Sequence, residues 1–187
     1  EGLFVGYRGY DKTETPVAFP FGHGLSYTTF AYADLAATAS DDGLRVEVTV
    51  TNTGDRAGRE VVQAYVSKAS SAVVRVPREL KGFADVTLEP GASERVVIEI
   101  AADELAYWSV LDAAWVIESG EYTVEVGASS RDLRASATVE VAGNEPVRPL
   151  TMDSTVVEAM ANPVFAQAAT AMMQGSIFGA SDNDSLG

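Results

Sequence analysis

Leu44-Arg45-Val46-Glu47-Val48-Thr49-Val50-Thr51 alternates apolar and polar residues without a break, the pattern of a β-strand with one buried and one wet face. Thr51-Asn52-Thr53-Gly54-Asp55 then turns the chain, and Val61 to Val66 forms a denser apolar run suited to a central strand. Leu80 to Leu88 follows and ends in the turn signal Glu89-Pro90-Gly91-Ala92. Val96, Ile98 and Ile100 alternate again, as do Tyr122, Val124 and Val126, and Leu133, Ala135, Ala137, Val139 and Val141 make a last strand. Period-two segments from Phe30 to about Val141, punctuated by turns, predict a mainly β fold: an antiparallel sandwich of seven to eight strands. Tyr122, just inside the late strand Gly120–Val126, is expected to be a corner tyrosine whose phenol bonds a backbone group upstream. Trp108 and Trp115 fall in a less regular stretch, where one ring is expected in the core and the other over the sandwich edge. A flat sugar platform is the sharper alternative for this pair.

Outside that block the composition changes. Asn144-Glu145-Pro146-Val147-Arg148-Pro149 reads as a linker, because two prolines deny it ladder hydrogen bonds. Thr155 and Glu158 have capping-box spacing, and Asn162-Pro163 looks like an N-cap with proline at the first helical position. Phe165, Ala168, Ala169, Met172 and Met173 recur at helical spacing, with Gly175 as a stop, so the tail reads as two short helices or one kinked helix with an apolar docking face. Ser181 to Ser185 is expected to be disordered, and it is too short for a calcium loop.

On the other side lies Pro20-Phe21-Gly22-His23-Gly24-Leu25-Ser26-Tyr27-Thr28-Thr29-Phe30. Gly22 and Gly24 bracket a bend that is free to take positive φ, and the apolar residues around it predict a docked junction. His23 is the only histidine and there is no cysteine, so a His/Cys metal site has no second ligand, and His23 reads as a structural residue. Ser26 lacks the second glycine of a nucleophile elbow and reads as a turn residue. Phe4, Tyr7, Tyr10, Phe19 and Phe21 are too many aromatics for an exposed arm and are expected to fold back onto the sandwich or to pack on a neighbouring molecule.

Composition narrows the function classes. Acidic residues outnumber basic ones 27 to 13, a net charge of −14 that repels nucleic acid and anionic membranes. No apolar run reaches the length of a transmembrane helix. The absence of cysteine fits a reducing, cytoplasmic setting. No motif asks for a cofactor. The first residues, Glu1-Gly2-Leu3-Phe4, carry neither an initiator Met nor a signal peptide and read as cut from a longer product.

The Pro20–Phe30 stretch resembles the junction signature of glycoside hydrolase family 3 β-glucosidases, where it joins an α/β sandwich domain to a fibronectin type III-like domain. The likeness extends in order along residues 1–142. Phe4 to Asp11 is similar to the segment just upstream of that signature. Val50–Gly54 with Gly58–Val66, Pro77–Phe83, Leu88–Gly91 and Gly120–Ser130 are similar to successive motifs of the fibronectin-like module. The resemblance implies residues 1–29 as the end of the α/β domain and its linker, 30–142 as an antiparallel immunoglobulin/fibronectin III-like sandwich, and 143–187 as a linker and short helical tail. It also implies retaining hydrolysis of β-glycosides, with a carboxylate pair about 5 Å apart held in other domains. No segment matches the nucleophile motif, so no catalytic residue is assigned; Glu1, Asp11 and Glu14 read as surface or junction ion pairs.

The expected role is therefore non-catalytic. The sandwich would stabilise a catalytic barrel and α/β domain of the same enzyme, with homo-oligomers open. The loop Ser67–Arg75, small and polar, would lend Ser70, Ser71 and Arg75 to an active-site rim. A carbohydrate-binding module or a cell-surface adhesion domain are the alternatives.

Overall fold

The computed structural model describes residues 2–146, 150–151 and 154–178, in two compact units, Glu1–Glu145 and Pro146–Gly187. In the first unit, a short helix α1 (Tyr7–Lys12) precedes strands β1 (Phe30–Ser40), β2 (Gly43–Asn52), β3 (Gly58–Ser67), β4 (Glu79–Leu88) and β5 (Ser93–Ala101). A 3-10 turn at Ala102–Leu105 leads to a small hairpin, β6 (Tyr107–Ser109) and β7 (Ala114–Val116), and β8 (Gly120–Gly127) and β9 (Leu133–Val141) complete the unit. One sheet has the order β1-β2-β5 and the other β4-β3-β8-β9, every pairing antiparallel. This is the expected sandwich, and Val61–Val66 lies on a central strand as expected.

The alternation read from sequence is what fills the core. Leu44, Val46, Val48 and Val50 of β2 are at most 1% exposed and meet Val62, Ala64, Tyr122, Val124 and Val126 from the opposite sheet. Each buried Val or Leu side chain contributes about 1.5–3 kcal/mol on leaving water. Asn52 closes β2 as a buried polar hub: its Nδ2 donates to the Arg56 and Leu88 carbonyls, and its Oδ1 accepts from Thr28 Oγ1 and the Gly54 N–H.

Strand β1 was not visible as a separate alternation. Its register against β2 shifts between Ala33 and Ala36, where Asp34 has φ 52°. A bulge of this kind breaks the period, and alanines replace the larger apolar residues that would mark it. The two tryptophans correct an expectation. Neither fills the core: Trp108 is 49% and Trp115 63% exposed, paired across the β6–β7 hairpin with rings 5.6 Å apart at 72°. That edge-to-face pair is not a flat platform.

The second unit contains α2 (Val156–Ala161) and α3 (Pro163–Phe178). Asn162 caps α3 as its sequence suggests, with Oδ1 accepting from the Val164 and Phe165 N–H groups. Gly175 lies inside α3 and does not stop it. Phe165, Met172 and Met173 are exposed. Residues 181–185, expected to be disordered, lie outside the described residues.

Candidate functional site

Alternation on a central strand also buries something on its second face. Gln63 and Tyr65 of β3 point away from the core occupied by Val62, Ala64 and Val66, yet Tyr65 is fully buried. Its cover is the N-terminal arm. Tyr7 stacks on Phe21 at 4.6 Å and meets Tyr65 edge-on at 6.3 Å, and the Tyr7 phenol oxygen accepts from the Leu80 N–H. The aromatics thus fold back in part, as expected, though Tyr10 and Phe19 stay 51% and 73% exposed.

Polar contacts fix the arm. Arg131 Nε donates to Asp11 Oδ1 at 2.9 Å, and its Nη2 donates to the Tyr10 and Thr15 carbonyls. Asp11, with a side chain 5% exposed, also faces Arg78 at 4.0 Å, which in turn holds Glu125. Arg8 pairs with Glu79. Asp11 is thus a junction ion pair, as read from sequence. The Ser130 N–H donates to the Phe21 carbonyl, and Gln63 Nε2 donates to the carbonyls of Gly22 and Ala128 while its Oε1 accepts from the Tyr65 phenol. No sequence pattern marks Gln63 as a hub; a polar residue on an apolar central strand is the one available signal. Burial pushes the Tyr65 phenol well above its ordinary value.

After Gly22 the chain lifts away. Gly22 has φ +79°, and a β-carbon there would collide with the Gln63 amide. Gly24 corrects the sequence reading: its φ is not in the left-handed region and open space surrounds it. Leu25 and Tyr27 are 93% and 92% exposed, so the expected anchors face outward. His23 is exposed, with its ring 5.2 Å from Phe19 and its N–H donating to the Pro20 carbonyl. Ser26 Oγ accepts from the Thr28 N–H within the turn.

Under this arch lies a cleft of about 570 Å³ that Glu60, Asp132 and Arg134 help to line. Glu60 Oε1 accepts from the Tyr32 phenol, and Arg134 stacks over the Tyr32 ring and forks onto Asp132. Burial pushes the Glu60 carboxyl up, against the pull of the Tyr32 hydrogen bond and Arg134.

At the opposite end, the Ser67–Arg75 loop is held and not free. Glu118 Oε2 accepts from Ser71 Oγ, Arg75 Nε and Arg75 Nη2, and its Oε1 accepts from the Ala72 N–H. Burial works against the charge of Glu118, but these hydrogen bonds outweigh it and hold the carboxyl below its ordinary range. The structure therefore brings Ser71 and Arg75 together on one carboxylate and leaves Ser70 exposed and apart. The same Glu118 offers its carbonyl to the Tyr122 phenol at 2.9 Å, the corner bond expected from sequence.

Among the described residues no group of His, Cys, Asp and Glu could hold a metal.

The fibronectin type III-like domain family matches residues 60–130. An exo-α-(1→6)-L-arabinopyranosidase of Bifidobacterium breve is 44% identical over 92% of this chain and 23% of its own length. The thermostable β-glucosidase B of Acetivibrio thermocellus is 41% identical over 87% of this chain and 22% of its own. A crystal structure of a Bifidobacterium adolescentis GH3 β-glucosidase superposes with a TM-score of 0.83 at 43% identity, covering 90% of this chain and 25% of that one. The chain spans about a quarter of the length of the curated relatives it matches. By these likenesses the chain matches the fibronectin type III-like region of glycoside hydrolase family 3 enzymes.

Proposed function

We propose that this chain is the non-catalytic part of a retaining β-glycoside hydrolase, stabilising the catalytic barrel and α/β domains of the same polypeptide. In this reading residues 1–29 complete the α/β domain and the junction, and residues 30–142 are the sandwich that buttresses it. One observation carries it: Leu25 and Tyr27 stand more than nine-tenths exposed on a backbone whose flanks are pinned by Gln63 and Asn52. Large apolar side chains held outward by a fixed backbone suit a surface that another domain covers. β-Glucosides are the substrate class we assign to the whole protein, since relatives at 41–43% identity carry the β-glucosidase name. The clamped Ser67–Arg75 loop, with Ser70 and Val74 exposed, is the part we assign to the substrate rim.

The experiment has two arms. The chain alone should show no turnover of a nitrophenyl β-glucoside; activity that survives repurification sinks the non-catalytic reading. In the longer polypeptide, Leu25→Glu with Tyr27→Glu should lower the melting temperature and soluble yield, while the same pair in the isolated chain leaves melting unchanged. Equal effects in both would show that these side chains serve the sandwich itself.

A further inference from the structure

A second polar pocket lies at the other end of the sandwich, and its charge runs against that of the molecule. It has a volume of about 340 Å³ and lies between α1 and the Ser67–Arg75 loop, with Lys12, Ser67, Lys68, Ser71 and Arg75 among its lining residues. Every charged residue that lines it is cationic, in a chain of net charge −14.

The pairing of these cations is unusual. Among the described residues every Lys and Arg has a carboxylate within 4.0 Å except Lys12, Arg56 and Lys68. With 27 acidic residues available, an unpaired cation is the exception, and two of the three line this one pocket from segments far apart in sequence. Lys68 is 8% exposed, so its charge is largely removed from water. Its Nζ donates to the Ser119 carbonyl at 2.8 Å and sits 4.6 Å from the centre of the Tyr122 ring. These partners satisfy part of an ammonium with three donors, and neither brings a negative charge. Lys12 Nζ lies 6.0 Å from the Phe4 ring and has no carboxylate within 4.0 Å among the described residues. A buried, uncompensated charge is costly, and an anion nearby removes that cost.

We infer that this pocket is a binding site for a small oxyanion, the carboxylate or phosphate group of a sugar-sized ligand. Ser67 adds a hydroxyl group to the lining, while the Ser71 hydroxyl is committed to Glu118, and the volume suits one monosaccharide unit bearing such a group. The Arg75–Glu118 clamp keeps the loop in place without a ligand, so the site is formed beforehand. This assignment concerns the chain itself and does not depend on the active-site rim.

The test is titration of this chain with glucuronate, glucose 6-phosphate and glucose, followed by amide resonances of residues 67–76. The first two should shift these resonances saturably, with a Kd in about the millimolar range that weakens as salt rises, and glucose should not. Saturation by only one of the two anions identifies whether carboxylate or phosphate is the ligand group. Lys12→Met removes an exposed charge without touching the core and should weaken binding about tenfold. Lys68→Met should abolish it, with near-UV circular dichroism reporting whether the Tyr122 corner survives. Shifts as large with glucose as with the anions, no saturable shift with either anion, or anion binding unchanged in Lys12→Met would overturn the inference.

Discussion

Residues 7–22 and residues 23–27 follow one another, both rich in apolar side chains, yet they end in opposite environments. The first stretch lies against the outer face of the β4-β3-β8-β9 sheet and buries Tyr65; the second stands off it with Leu25 and Tyr27 in solvent. Aromatic content does not separate them. What separates them is where the backbone polar groups go. In the first stretch the carbonyls of Tyr10, Thr15, Phe21 and Gly22 each accept a hydrogen bond from the sandwich, through Arg131, the Ser130 N–H or Gln63. In the second, the hydrogen bonds among the described residues stay local, from His23 to Pro20 and from Thr28 to Ser26. A segment is held to a surface when its main chain is satisfied there, since an unpaired buried backbone group offsets much of the gain from burying a ring.

That contrast can be broken in graded steps. Deleting residues 2–22 should cost most, about 3–5 kcal/mol by chemical denaturation, because it uncovers Tyr65 together with the Gln63 network. A deletion variant with an unchanged urea midpoint would mean that the arm merely rests on the sheet. Asp11→Asn, which keeps the shape and removes the charge facing Arg131 and Arg78, should cost about 2 kcal/mol. Raising salt should narrow this difference little, as the Asp11 side chain is almost fully covered.

Tyr122→Phe supplies a calibration inside the sandwich: loss of its one buried bond to the Glu118 carbonyl should cost about 1–1.5 kcal/mol. An unaltered midpoint would show that the corner bond contributes nothing net. Gly22→Ala should cost about 1 kcal/mol or more from its positive φ and the Gln63 contact, whereas Gly24→Ala should stay within about 0.5 kcal/mol. The reverse order of these two melting temperatures would invert the description of the arch. Smallest of all, Leu25→Ser in the isolated chain should change stability by less than about 0.5 kcal/mol, because the side chain touches so little.

By itself the sequence determined the parts governed by local periodicity and local chemistry. Strict alternation assigned β2, β5, β8 and β9, a dense apolar run assigned central β3, Tyr122 announced its corner bond, and Asn162-Pro163 announced the start of α3. Each of these depends on neighbours only a few residues away, or on a face whose burial the alternation itself encodes. The tertiary structure decided the rest. β1 became a strand because β2 offered it an edge despite its bulge; Trp108 and Trp115 pair with each other outside the core. Ser71 and Arg75 lost their freedom to Glu118, more than forty residues away in the chain. Gln63 became the anchor of the arm, while Leu25 and Tyr27 were left outside. These outcomes depend on which distant donors and acceptors come within about 3 Å of each other, and side-chain periodicity carries no record of that distance.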